Sequence, residues 1–421
     1  MRHLLIACIS LCLPTVAYGW STKEHVQLTR IAAAELLAAA DTPPEMKAWL
    51  AQVAPGVLDM DGEREYLLNA RMGIFPHGVD GLAFWAVVPD LEALIDKSNK
   101  KIPPVNVPER QMHFMDVEYF GPNPPPKESK AKPKGAGKEL LNEEGAEKEP
   151  ASEAAPAAAD KEVDDNKERT RATLLPGPHR KPKLDDVKRD PADPRLASSG
   201  ALPYRVAHSY DELVKAIRDG RLADKPGQFP RDDHAARWAG YAAHYVQDNT
   251  QPHHSTWDYK SRAFFPEGTR APDVHAAVEY KPVDDDLNDY PELRAAYWPL
   301  FTAALKEAND LATSSDPWTA SVQTSLISYD AIPFIGEAAV AAWDKAGEPE
   351  TPKDDGRLDL VKFYNHRGQV YGREMSMLEL KAFQQAWAVR RTQSIWLAAW
   401  KEAKGTPATA PVEPPPRYIG P

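Results

Sequence analysis

Between Gly121 and Gly200 there is no Phe, Tyr or Trp, although the chain carries 11 Phe, 15 Tyr and 11 Trp in its 421 residues. The same stretch is rich in Pro, Lys, Glu and Ala. Such a segment buries too little apolar surface to offset the entropy of ordering it, so 121–200 reads as a disordered insertion rather than a domain. The tail 405–421, GTPATAPVEPPPRYIGP, reads the same way. What remains, 20–120 and 201–404, is two partial cores, and together they predict one discontinuous domain of ordinary size.

Both blocks predict helices. Ser21-Thr22-Lys23-Glu24 has the form of a capping box, and Leu28, Ile31, Ala32, Leu36 and Leu37 follow at helical spacing. Asp232 or Asp233 is placed to cap a helix through HAARWAGYAAHYVQD. Further helical patterns cover 209–219, 293–312, 317–327 and 376–403. Strand alternation and hairpin signals are scarce, so the expected fold class is all-α.

Residues 1–19, MRHLLIACISLCLPTVAYG, read as a signal peptide: Arg2 and His3, an apolar run from Leu4 to Leu13, then Ala17-Tyr18-Gly19 as a small-x-small cleavage site. Cleavage there predicts a secreted or periplasmic protein whose first residue is Trp20. A lipobox reading of Leu5-Ile6-Ala7-Cys8 leaves only seven residues ahead of Cys8, too short a leader. Both cysteines, Cys8 and Cys12, fall inside this segment, so the processed chain would hold no disulfide and no thiolate ligand. No apolar run is long enough for a membrane span. The formal net charge of −11 argues against a broad basic surface for duplex nucleic acid, though not against a nuclease that takes its positive charge from metal ions.

His244 and Asp248 stand at i and i+4, on one face of their predicted helix. The helix ends near Asn249, Gln251-Pro252 turns the chain, and His253 or His254 follows. His275 and Glu279 repeat the i, i+4 spacing, while Pro89-Asp90 and Gln111-Met112-His113-Phe114 supply another carboxylate and imidazole. A set of imidazole nitrogens and carboxylate oxygens suits Zn²⁺. One such pair is more often a solvated or core pair; two of them around Q-P-H-H are harder to assign to packing alone. Trp20 adds a further donor set, because a free α-amine and its own carbonyl can chelate a metal, and an amine with pKa ~8 gives up its proton readily. His25 lies one turn into the capped helix. The packing alternative makes Trp20 a hydrophobic staple and His25 a core histidine.

W-S-T-K-E-H after a signal, P-D with M-H-F-M-D downstream, H-x3-D-x2-Q-P-x-H and H-x3-E together resemble the zinc-dependent phospholipase C / P1 nuclease family. The resemblance implies an all-α domain binding three zinc ions. By matching positions, Asp90, His113, His244 and Asp248 would hold the first; His254, His275 and Glu279 the second; Trp20 and His25 the third, which shares Asp248. The Q-P-x-H pattern selects His254 over His253. The separation of His113 from His244 exceeds the family norm until the insertion is removed.

The implied reaction is hydrolysis of a phosphate ester by a zinc-activated water, with Asp90 orienting or deprotonating that water and no side-chain nucleophile. Glu279 in H-x3-E and the absence of cysteine after processing point to a phospholipase C acting on phospholipid head-group esters. The five-residue step from Trp20 to His25 instead resembles P1/S1-type single-strand nucleases and 3'-nucleotidases. A more remote alternative is a non-catalytic, zinc-stabilised exported protein. The expected partners are a phospholipid or nucleic-acid phosphodiester, with at most peripheral membrane contact, and the expected state is a monomer. Phe84, Trp85, Trp257, Phe264 and Phe265 are candidates to face acyl chains or bases, with core packing as the commoner alternative. His77, His208, His234 and His366 are read as non-ligands, and Asp116 either as a partner of a ligand histidine or as a surface carboxylate.

Overall fold

A helix rich in Ala and aromatic residues is apolar on nearly every face and is stable only when other elements surround it. In the computed structural model this is the place of Ala235–Thr250, in which every residue but Arg237 is buried. The structure describes residues 20–54, 81–95, 101–125, 175–222, 234–280, 290–347 and 355–405, and these are mostly helical. The first part of the chain forms α1 (Thr22–Ala38), α2 (Pro44–Val53), α3 (Gly81–Trp85), α4 (Val88–Ile95), α5 (Leu196–Ser199) and α6 (Leu202–Arg218). The second part forms α7 (Ala235–Thr250), α8 (Val274–Tyr280), α9 (Pro291–Glu307), α10 (Pro317–Tyr329), α11 (Ile332–Ala341), α12 (Leu360–Asn365) and α13 (Met377–Ala403). Helices α1, α3, α6, α10 and α13 pack around α7, and α9 lies along α13.

The capping box is present at Ser21, whose side chain accepts from the Glu24 amide while the Glu24 carboxylate accepts from the Ser21 amide. The cap of α7 differs from expectation. It is His234, whose Nδ1 accepts from the Arg237 amide, and Asp232 and Asp233 lie outside the described residues. Two short hairpins accompany the helices: β1 (Trp343–Asp344) with β2 (Arg357–Leu358), and β3 (Arg367–Val370) with β4 (Arg373–Ser376). In the second, Val370 pairs with Arg373 across Tyr371-Gly372, both at positive φ (54° and 75°), the conformation a two-residue hairpin turn requires. Among the described residues no helix is long and apolar enough to cross a membrane.

The expectation of a wholly disordered 121–200 insertion needs correction at its end. Residues 175–200 are folded on the helical body, in one compact unit with the described residues of 20–124 and 201–405. Arg180 is buried, donates to the Asn123 carbonyl at 3.1 Å and lies over the Trp257 ring. The Gly177 amide donates to the Tyr329 hydroxyl at 2.9 Å, and the Ser199 carbonyl accepts from the Asp116 amide at 2.7 Å. Gly200 has φ +77°, and a Cβ there would stand 2.1 Å from the Phe114 carbonyl oxygen, so only glycine fits this close approach. The segment needs no core of its own because it borrows one. The rest of the proposed insertion (126–174), the signal segment 1–19, His77 and the tail beyond Gly405 lie outside the described residues.

Candidate metal centre

Eight of the nine sequence-predicted ligands meet through their side chains in the interior. His25 comes from α1, Asp90 from the first turn of α4, and His113 from the residue closing a 3₁₀ turn, Glu109–Met112. His244 and Asp248 come from α7, His254 from the 3₁₀ turn Pro252–Ser255, and His275 and Glu279 from α8. All eight are buried. They form three sets with ligand atoms close enough to share an ion: His25, Asp90 and His244; His113, His244 and Asp248; and His254, His275 and Glu279. These buried groups can hold metal ions.

Asp248 lies between two of these sets. Its Oδ1 is 3.2 Å from His25 Nε2, while its Oδ2 is 2.9 Å from His113 Nδ1 and 3.2 Å from His244 Nε2. Asp90 Oδ1 is 3.6 Å from His244 Nε2 and 3.8 Å from His113 Nδ1. In the remaining set Glu279 Oε1 lies against His275 Nε2 and 3.6 Å from His254 Nε2. Of the two adjacent histidines, His254 joins this set, whereas His253 turns its Nε2 to the Ser261 hydroxyl, 3.0 Å away.

Fixed oxygens orient several rings. His244 Nδ1 meets the Ala86 carbonyl at 2.8 Å, His254 Nδ1 the His113 carbonyl at 2.6 Å, and His25 Nδ1 the Gln247 side-chain oxygen at 2.8 Å. An Nδ1 facing an acceptor carries the proton, which leaves Nε2 as the lone pair aimed into the cluster. His244 Nε2 therefore presents a lone pair to His113 Nδ1 at 3.0 Å and to two carboxylates. That lone pair and the two carboxylates are acceptors a cation would satisfy, whereas His113 Nδ1 also faces Asp248 Oδ2 at 2.9 Å. Asp90 Oδ1 and Glu279 Oε2 are also buried without a hydrogen-bond partner, a cost that coordination would remove. The residues fit a metal ion.

Burial and the neighbouring carboxylates set the electrostatics of each group. Burial pushes His244 down to about 3 against the opposing pull of Asp248, and burial likewise pushes His275 down to about 4, so both rings are neutral and able to bind metal. Burial would lower His25 too, but the adjoining Asp248 carboxylate outweighs it and raises the ring's pKa. Asp248 is held well below the usual range despite its burial, by His244, His113 and His25. Asp90 is pushed well above it by burial, with Asp248 and Glu279 adding to the shift.

Trp20 is buried, and its indole donates to Thr250 Oγ1 at 3.2 Å on the helix that carries Asp248. Sequence reasoning missed Gln247, whose amide donates to Thr29 and Thr392 while its oxygen orients His25. The signal was there: Gln247-Asp248-Asn249-Thr250-Gln251 is a polar run at the end of an otherwise apolar helix, and all five residues are buried. Gln251 also reaches Glu279, donating to Oε1 at 3.2 Å. Asp116 is not a surface carboxylate; it is buried beside Glu118, and burial raises its pKa. Of the candidate aromatics, Trp85 and Phe265 are core, whereas Phe84, Trp257 and Phe264 are partly exposed.

Comparison with protein-family models, curated proteins and solved structures returns no match. Fold and site alone define the class: a helical protein with a buried imidazole–carboxylate centre able to bind metal ions.

Proposed function

We propose that this protein is an exported zinc-dependent phosphoric ester hydrolase of the phospholipase C / P1 nuclease type, acting as a phospholipase C on head-group phosphate esters. The observation that carries the reading is the convergence of His25, Asp90, His113, His244, Asp248, His254, His275 and Glu279 from separate segments into one buried centre, with Asp248 facing two sets at once. These side chains, with the Trp20 amine and carbonyl once the chain is processed, would hold three zinc ions, which would supply positive charge for a phosphate oxygen and lower the pKa of water towards ~7.

The chain's own residues do the rest. The imidazoles and carboxylates bind, and their buried partners hold them in place. Asp90, with Oδ1 unengaged and set between His113 and His244, orients the attacking water and takes up its proton. No serine, cysteine or threonine nucleophile is required. The H-x3-E form of the pair ending in Glu279 supports the lipid substrate. A second reading, a single-strand nuclease, is favoured by the short step from Trp20 to His25, which the cap at Ser21 accommodates while His25 still reaches Asp248.

The test is a metal count on processed, active protein, followed by parallel assays on phosphatidylcholine vesicles and single-stranded DNA. Bound zinc with phosphocholine release is the expected result. Absence of any transition metal from active protein removes the proposal, and cleavage of DNA alone selects the nuclease.

A further inference from the structure

Lysine is almost never fully buried without partners, yet Lys381 in α13 is only 1% exposed. Its side-chain nitrogen donates to the Val278 carbonyl at 2.6 Å and the Glu279 carbonyl at 2.7 Å. It also stands 2.7 Å from Glu24 Oε1 and lies over the Trp20 ring, 5.3 Å from its centroid. The two carbonyls belong to the last turn of α8, where backbone acceptors have no partner within the helix. A cation there is also favoured by the helix dipole. Glu24 in turn accepts from the Ser21 amide through its other oxygen, at 3.2 Å. One lysine thus grips the backbone of Glu279 and, through Glu24, the backbone next to Trp20.

We propose that Lys381 is a positioning residue that braces the N-terminal turn of α1 against the end of α8, so that Trp20 and Glu279 take their places in the metal centre together. The proposal rests on the reading of that centre as a zinc site, but it makes a separate claim. A lysine that only stabilised the fold would lower stability equally with and without metal. A brace lowers zinc affinity beyond that.

Lys381→Met alone leaves Glu24 buried beside an apolar side chain, so the double variant Glu24→Gln/Lys381→Met, which removes both charges, is made beside it. Processed wild type and both variants are stripped with a chelator and titrated with Zn²⁺ alone against a chromophoric competitor. Each is then melted zinc-free and zinc-loaded. The expected result for the double variant is zinc binding weakened by about 10–100-fold, the range seen when ligand-supporting residues are lost. The rise in melting midpoint on adding zinc should shrink in parallel. Unchanged zinc affinity in folded variants overturns the brace while leaving the site reading intact. A wild type that binds no zinc overturns both. If neither variant folds, Lys381 is a packing element and the brace is likewise overturned.

Discussion

Gly240→Ala tests how closely the metal centre depends on helix packing. Gly240 lies one turn before His244 on α7, facing the end of α3. A Cβ built there would stand 2.4 Å from Trp85 Cβ, 2.7 Å from the Trp85 carbonyl carbon and 2.8 Å from the Ala86 amide nitrogen. Comfortable carbon–carbon contact begins near ~3.5 Å, so the 85–86 backbone must retreat by about 1 Å. In a helix interior alanine is favoured over glycine by about 1 kcal/mol, which opposes the clash. Overpacking against a well-packed interior costs about 1–3 kcal/mol, and contacts this short with backbone belong at the upper end. The net expectation is a loss of about 2 kcal/mol.

The same retreat draws the Ala86 carbonyl from His244 Nδ1, now at 2.8 Å, and frees the ring to turn. Metal affinity should therefore fall as well, by about 10–100-fold. Urea unfolding of the stripped protein gives the first quantity and zinc competition the second. A variant as stable as wild type, with unchanged zinc affinity, would refute the claim that this glycine sets the α3–α7 approach.

Four further outcomes are expected. Asp90→Asn should keep its fold and most of its zinc but lose hydrolysis by about 10²–10⁴-fold in steady-state assays; unchanged turnover removes Asp90 from the chemistry. In metal-free protein, burial raises the Glu279 carboxyl to about 8 against a hydrogen bond from His254. Its contribution to stability is therefore complete below the ordinary range near 4.5 and lost as pH climbs through about 8, so stripped protein should show a lower urea midpoint at pH 9 than at pH 6, with a flatter profile for Glu279→Gln. An extra residue ahead of Trp20 turns its amine into an amide, and elemental analysis should then find less zinc per chain than in the processed form. Deleting 126–174 should leave the thermal midpoint nearly unchanged, whereas deletion through residue 200 removes buried Leu196 and Arg180 and should cost at least about 2 kcal/mol by urea titration.

The histidine–carboxylate pairs were legible because a helix converts i, i+4 spacing into adjacency, so the closeness of His244 to Asp248 and of His275 to Glu279 needed no tertiary information. Their supports were not. Gly240 inside a helical pattern reads as a weakness, and only the neighbouring helix shows why nothing larger fits. Lys381 reads as a solvated charge, because its partners lie on α1 and α8. Residues 175–200 look unfoldable by composition, since composition measures whether a segment can build a core and not whether it can dock on one. His234 took the capping role expected of an aspartate because the unprotonated nitrogen of an imidazole ring can also accept from a backbone amide.

The order of the donors along the chain has a consequence for biosynthesis. His25 is made early and Glu279 late, and α13, which carries Lys381, is made after every ligand. An unfinished chain therefore holds scattered imidazoles that have not yet been brought together. On the proposed reading, capture of ions would follow folding, and the metal supply of the compartment where the chain folds would decide what is bound.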